Sequence, residues 1–495
     1  MEDKRCILPR GRGVGGSSII NFMMYVRGHK NDYDRWAAAG NDGWSWKDVL
    51  PYFLKSERSA IENLQDRPFH SRKGDLSVEH NQFKTPLGKA FVEACKYLGQ
   101  SEIDYNSGES LGVSYVQANT LNGSRHTAFG AFIKPILNRP NLHIMINTRV
   151  TKILIDPQTK TAFGVEFIRN GKTVQVNATK EVILSAGTFH SPQLLMLSGI
   201  GTQKDLAKMK IPIIHELPVG KFLSDHFAHY GPTMILNSTG SSLSMPDIFT
   251  MQYVYDYFQH RGPLTSIGAI EALSFIKTKL GSSRGSDMPD IELVGLAGGV
   301  HSDYSVATQR LGLKSEIFEV MHRPLLKQKM DTFTVVVMLF HPKSTGFIEL
   351  RDTNPLSPPK IYTNYLKNPD DVENILEGIK FVVRLINTPI YQKLGAYLHS
   401  TPLPSCAHIH FGSDDYWRCS IRTIGSTLHH QVGTCKMGLE SDETAVVSPR
   451  LIVHGIHKLR VVDTSVIPES PTGHTNAPSF MIGEKAADLI KEDWN

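Results

Sequence analysis

The 495-residue chain carries 53 basic and 48 acidic side chains, and a net charge of +5 is too small to mark a nucleic-acid binder. Its composition, 40% hydrophobic and 20% charged, is that of an ordinary globular protein long enough for two or three packed domains. The longest strongly apolar run, Phe333-Thr-Val-Val-Val-Met-Leu-Phe340, is far too short to span a bilayer and reads as a buried strand.

Taken in chain order, Met1-Glu-Asp-Lys-Arg5 lacks the apolar stretch of a secretory leader. Gly11-Arg-Gly-Val-Gly-Gly16 matches the dinucleotide pattern G-x-G-x-x-G letter for letter, but its context is wrong. Only Cys6-Ile-Leu8 precedes it, and no second strand follows at βαβ distance. Gly15-Gly-Ser-Ser18 reads instead as a tight loop opening a helix over Ser18–Val26, whose free N–H groups suit an electron-rich ligand. Helices are expected at Trp44–Phe53, Pro86–Leu98 and from near Arg125 to Leu137. Short strands follow at His143–Asn147, Val150–Ile155, Phe163–Arg169 and Lys172–Val176, with Asn170-Gly171 as a hairpin turn. Lys180–Thr188 reads as a buried strand, and Ser191–Gly199 as a short helix with a serine cap and a terminal glycine. From about residue 233, the strands Ile270–Lys277, Ile291–Leu296, Phe333–Phe340 and Gly346–Leu350 alternate with helical stretches such as Pro369–Ile386. That pattern fits an antiparallel sheet backed by helices.

The last seventy residues concentrate the chemistry. Two histidine-bearing segments, Thr427-Leu-His-His-Gln-Val-Gly-Thr-Cys-Lys-Met-Gly438 and Pro471-Thr-Gly-His-Thr-Asn-Ala-Pro478, flank a strand-like Lys458–Ser465. A helix over Ser479–Ile490 follows, with Asn476 placed to cap it and Pro478 in its first turn. Five cysteines show no metal-ligand spacing, and His429, His430 and Cys435 lack a second ligand pair for zinc. Cys406 and Cys419 can pair in an oxidising compartment, with which the sequons at Asn122, Asn177 and Asn237 are compatible.

These segments resemble the glucose–methanol–choline (GMC) oxidoreductases, FAD enzymes that oxidise alcohols. Gly11–Trp36, with Asn21, Tyr25, Arg27-Gly28 and Asp32-Tyr-Asp34, is similar to the first family signature, and Gly187–Gly201 to the second. Gly220–His226 resembles a segment that closes the second FAD stretch, and the two histidine segments resemble the C-terminal signature. The resemblance implies an α/β fold, α+β overall: an N-terminally incomplete Rossmann-like FAD domain (1–60, 125–232 and 426–495) and an antiparallel-sheet substrate domain (61–124 and 233–425). It implies FAD contacts at Gly16, Ser17 and Asn21, a backbone contact at Val150, and flavin neighbours at Asp463, Asn476 and Ala477. In the family the first signature follows a βαβ unit that holds the ADP pyrophosphate, and this sequence begins after it. The expectation is a truncated reading frame or an incomplete enzyme.

Alcohol oxidation removes a proton from oxygen and a hydride from carbon, and the hydride needs a cofactor to accept it. His430 is the expected base, and His474 the group that hydrogen-bonds the same oxygen. His429 is expected to be structural and Cys435 to be packing. The implied partners are a small alcohol or sugar and an acceptor, quinone or oxygen, as in the glucose dehydrogenase-like branch, with no nucleic acid and no membrane span. An extracellular location is expected for the full-length parent. The competing expectation is a non-enzymatic homologue that does not retain FAD.

Overall fold

In the computed structural model, residues 6–64, 67–230, 232–237, 240–244, 248–281, 287–299 and 312–495 are described. Strands Ile270–Ile276, Ile291–Leu296 and Asp331–Leu339 are buried at nearly every position. They form the centre of an eight-stranded sheet that runs, in order, 397–398, Thr233–Leu236, Asp331–Leu339, Ile291–Leu296, Ile270–Ile276 and Gly112–Tyr115. Phe227–His229 attaches Gly425–Thr427 to the same sheet through Asp331–Leu339. All of these pairings are antiparallel.

Because side chains alternate between faces, each strand feeds two cores. Ile291, Leu293, Val335 and Val337 pack with Val372, Ile375 and Ile379 of the helix Pro369–Ile386. Val294, Val336, Met338, Leu273 and Phe275 pack on the opposite face, the one that also carries Glu292. The helix matches its expected bounds: Asn368 accepts a hydrogen bond from the Asp370 N–H, Pro369 opens the first turn, and Asp370 and Asp371 favour its positive end.

A second body of structure holds the meander Thr148–Asp156, Thr161–Arg169 and Lys172–Asn177, turned at Asn170 (φ 49°) and Gly171 (φ 74°) as a type I′ hairpin demands. Val182–Leu184 pairs in parallel with Leu459–Val461. The helices Gly187–Leu197 and Asn476–Trp494 pack into one core with Leu184, Leu195, Val461, Met481 and Ile482. Cys406 and Cys419 form a disulfide, Cα–Cα 6.0 Å, tying a turn to the helix Asp414–Ile424. Among the described residues no helix is long and apolar enough to cross a membrane.

Five expectations need correction. The helix expected over Ser18–Val26 is only a 3₁₀ turn, Gly16–Ile19. The Asn21 side chain accepts from the Met23 N–H, Met23 adopts φ 61°, and Met24 then bridges to Ala118, so a local side-chain bond and a distant strand both outcompete the helix. The helix expected to reach Leu137 is instead a π turn, Phe129–Ile133, followed by a 3₁₀ turn, Lys134–Ile136, where Pro135 has no N–H to continue the α-helical ladder. The strand expected at 143–147 does not form; Asn147 (φ 54°) turns the chain just before Thr148. The second-signature helix starts at Gly187 rather than after a Ser191 cap, since the Ser191 hydroxyl accepts from the Ala186 N–H and donates to Asp463. Asn476 is the first residue of the last helix rather than its cap, and its amide bonds elsewhere.

Gly425 joins the helix Asp414–Ile424 to its strand where a Cβ would lie 2.1 Å from Phe227 Cζ and 2.7 Å from the Ile421 carbonyl. Gly425→Ala is expected to cost about 1–3 kcal/mol through overpacking. The measurement is the urea midpoint; a value at or above that of the parent would contradict the close approach.

Candidate active site

Two loops carry the histidines, and each is held by a buried carboxylate. Asp225 Oδ1 accepts the His430 N–H at 2.9 Å; Oδ2 accepts from Thr427 Oγ1 at 2.5 Å, from Gln431 Nε2 at 2.7 Å and from the Tyr365 hydroxyl. Burial pushes the Asp225 carboxyl up to about 6, against the pull of these donors and of Arg10. His429, at φ 65°, reverses the chain so that it and His430 aim differently. Ser224 and Val432 exchange backbone hydrogen bonds beside it, and the Thr188 hydroxyl donates to the Gln431 carbonyl.

The second loop hangs on Asp32, which accepts from the Thr472 N–H at 2.7 Å, the Thr472 hydroxyl at 2.9 Å and the His29 N–H at 2.9 Å. Burial raises its carboxyl to about 7. Gly473 crosses the Gly28 backbone so closely that a Cβ would lie 2.9 Å from the Gly28 nitrogen. His474 is thereby fixed from below.

These anchors bring the two imidazoles together. His430 Nε2 lies 3.1 Å from His474 Nδ1, with ring centroids 4.5 Å apart and an interplanar angle of 81°. The line continues at both ends: His430 Nδ1 is 3.0 Å from His226 Nδ1, and His474 Nε2 is 2.9 Å from Glu292 Oε2. All four side chains are buried. Burial, reinforced by His474, His226, His429 and Arg10, holds His430 well below the usual imidazole range, so it is neutral near pH 7 and can accept a proton.

Sequence reasoning gave a role to neither His226 nor Glu292. The signal for Glu292 was present, an acidic residue inside the apolar run Ile291-Glu-Leu-Val-Gly-Leu296.

The residues expected at a cofactor fall into three groups. Asn21 Nδ2 donates to Asn476 Oδ1 at 3.1 Å, and Asn476 Nδ2 donates to Asn119 Oδ1 and to the Met24 carbonyl, which joins the first segment to the last helix beside His474. Gly16 (φ 58°) and Ser17 form an open turn; a Cβ on Gly16 would meet nothing within 4 Å. Asp463 is committed inside the protein, accepting from the Ser465 and Gly187 N–H groups and from the Ser191 hydroxyl, while Val150 sits half-buried in the meander. Cys435 is fully buried, donates its N–H to the Ser465 carbonyl, and is pushed up by burial out of the reactive range. A flavin fits the residues that face the site: the Asn476–Trp494 helix has no side-chain cap, so its first N–H groups are left for an outside acceptor, and Ala477 lies in that first turn.

Residues 1–228 match the N-terminal GMC oxidoreductase domain and residues 342–483 the C-terminal GMC oxidoreductase domain. The chain belongs to the GMC oxidoreductase family. It is 38% identical over 494 residues to glucose dehydrogenase (FAD, quinone) of Drosophila melanogaster, covering 99% of this chain and 76% of that relative. It is 35% identical over 493 residues to human mitochondrial choline dehydrogenase, covering 98% and 76%. Formate oxidase of Aspergillus oryzae superposes with a TM-score of 0.84 at 27% identity, covering 98% of this chain and 84% of that one.

Burial gives the site a pH signature. His226 and His229 are held down to about 3, and His190 and His429 to about 4. The unfolded chain protonates them near about pH 6.5, so their contribution is present above that value and lost as the pH falls. Asp32 and Asp225, raised to about 7 and about 6, act oppositely, losing their contribution as the pH rises through those values. His430 is depressed as well, Glu271 and Asp290 are raised, and the depressed histidines still outnumber the raised carboxyls, so the unfolding free energy should be lower at about pH 5 than at about pH 7. Urea titrations at the two values check this, and equal or greater stability at the lower pH would contradict it.

Proposed function

We propose that the chain is an FAD-dependent oxidoreductase that converts a CH–OH carbon of a small alcohol or sugar to a carbonyl, with His430 as base and His474 as donor to the substrate oxygen. The observation that carries this is the single pair: a neutral, buried His430 whose Nε2 shares a 3.1 Å contact with His474 Nδ1. An oxygen bound beside that pair meets an acceptor and a donor at once. His430 takes the hydroxyl proton, and the carbon loses a hydride with both electrons, so that the alcohol leaves as the corresponding carbonyl compound. When bound, FAD supplies the hydride acceptor at its N5. His474, backed by Glu292, stabilises the charge that develops on oxygen as the proton leaves.

The residues assigned to hold FAD are the Gly16–Ser17 turn, Asn21, the Val150 backbone, and Asn476 and Ala477 at the N-terminus of the last helix. Asp463 acts behind them by tying that wall to the helix Gly187–Leu197. We assign residues 1–60, 125–232 and 426–495 to the FAD side and 61–124 and 233–425 to the substrate side. The core on the eight-stranded sheet supports that division in outline, although Ile61, Leu64, Leu76, Val78, Ile348 and Leu350 of the substrate-side ranges pack into the core of the meander. A quinone or oxygen would reoxidise the flavin. The Cys406–Cys419 disulfide, with exposed sequon residues Asn122, Asn177 and Asn237, supports a secretory location. The alternative of a homologue that has lost its chemistry gains no support from a site in which both histidines are assembled.

The test is anaerobic reduction of the flavin-loaded protein by an alcohol, followed by the loss of flavin absorbance. His430→Ala should slow reduction by on the order of a hundredfold or more while flavin content is unchanged. Reduction at the parental rate would reject His430 as the base.

A further inference from the structure

Arg125 has no part in the reaction as described, yet it touches the wall assigned to the cofactor. Its Nη1 donates to Asn21 Oδ1 at 2.9 Å and to the Ser18 carbonyl at 3.1 Å. From there a row of amides runs inward: Asn21 Nδ2 to Asn476 Oδ1 at 3.1 Å, Asn476 Nδ2 to Asn119 Oδ1 at 2.7 Å, and Asn119 Nδ2 to the Ser77 carbonyl at 3.0 Å. Both ends fix the direction of this row. A guanidinium and a backbone N–H can only donate, and Arg125 and the Met23 N–H (3.0 Å) meet the same side-chain atom of Asn21, which must be its oxygen. The Asn21 NH₂ group then faces Asn476, whose own NH₂ group faces Asn119 and, at 3.3 Å, the Met24 carbonyl. Carbonyls only accept, so Met24 and Ser77 demand the polarity that Arg125 imposes.

That polarity determines what Asn21 has left to offer. An amide oxygen has two lone pairs, and both on Asn21 are taken. Its NH₂ group has given one hydrogen to Asn476 and has no second protein partner among the described residues. Asn21 therefore presents one N–H and nothing that accepts. Arg125 is also a half-buried cation with no paired carboxylate among the described residues, and burial alone pushes its guanidinium down. Both features suit an electron-rich neighbour, as does the uncapped start of the Asn476–Trp494 helix.

We propose that Arg125 is a positioning residue for the cofactor: it takes up the Asn21 oxygen, so that Asn21 meets FAD as a hydrogen-bond donor to one of its oxygens. The proposal rests on the reading of Asn21 as a cofactor contact and adds the group that selects which end of its amide the cofactor meets. Without Arg125, one lone pair of the Asn21 oxygen is released, and the amide is held there by the Met23 N–H alone. The accepting oxygen belongs to the flavin ring or to the diphosphate, and the measurement distinguishes them.

The test uses the FAD-loaded protein, with affinity measured from the fluorescence of released FAD and the two-electron equilibrium measured against a reference dye. Arg125→Met should weaken FAD binding by about tenfold or more, whereas Arg125→Lys, which keeps a donor and a charge, should stay within about threefold of the parent. Asn21→Asp leaves oxygens for Arg125 and Met23, with Arg125 balancing the added charge, but removes the N–H. It should lose at least as much affinity as Arg125→Met. If the accepting oxygen is on the flavin ring, Arg125→Met also shifts the reduction equilibrium about tenfold towards the oxidised form, about 30 mV. If it is on the diphosphate, affinity falls with the potential unchanged. Parental affinity in Arg125→Met, or in Asn21→Asp should the former fail to fold, would overturn the proposal. So would equal losses in the Met and Lys variants beside a parental Asn21→Asp, the pattern of a merely structural residue. A parent that retains no FAD would reject the cofactor reading and this proposal together; a parent that retains FAD beside unaffected variants rejects this proposal alone.

Discussion

Two buried carboxylates hold this site together. Asp225 and Asp32 are buried, and each gathers hydrogen bonds mainly from the backbone and side chains of one histidine loop, joined by Tyr365 at Asp225 and by the His29 N–H at Asp32. Burying a carboxyl is costly unless hydrogen bonds replace water, and here several donors converge on each. The result is a pair of loops, drawn from positions more than forty residues apart, whose imidazoles meet within hydrogen-bond distance. Removing either anchor takes away several of the hydrogen bonds that orient its loop.

The sheet supplies the other constraint. Glu292 sits on a central strand whose alternate residues go to opposite cores, so its carboxylate is presented from a rigid element rather than a loop. The base and its partner thus stand between a sheet-borne carboxylate at one end and a buried imidazole at the other, in a row where every contact requires a definite proton placement. Such a row is sensitive to a single misplaced proton. Burial, rather than exposure, suits the site because water would compete for every nitrogen in the row.

Where local pattern carries the information, the sequence was legible. The strands at Ile270, Ile291 and Phe333 and the helix Pro369–Ile386 follow from apolar runs, a capping asparagine and a first-turn proline, all within one element. The pairing of His430 with His474 was readable through family resemblance, not through spacing. What was not legible depends on distant partners. Ser18–Val26 is not helical because Met24 bridges to Ala118 and Asn21 reaches Asn476, 455 residues away. Asn476 looked like a cap because its sequence position is right, but its amide is taken by Asn119 and Met24. Asp32 and Asp225 stood inside quoted segments, yet nothing local distinguishes a buried anchor from a surface acid.

The account turns on one place where a flavin and an alcohol meet both histidines. A crystal structure of the FAD-loaded protein with an alcohol or an unreactive analogue bound measures this directly. The account predicts the substrate oxygen within hydrogen-bond reach of both His430 and His474, in place of their present mutual contact, with the flavin ring against the start of the Asn476–Trp494 helix. A flavin seated away from the pair, or a substrate oxygen that contacts neither ring, would contradict it.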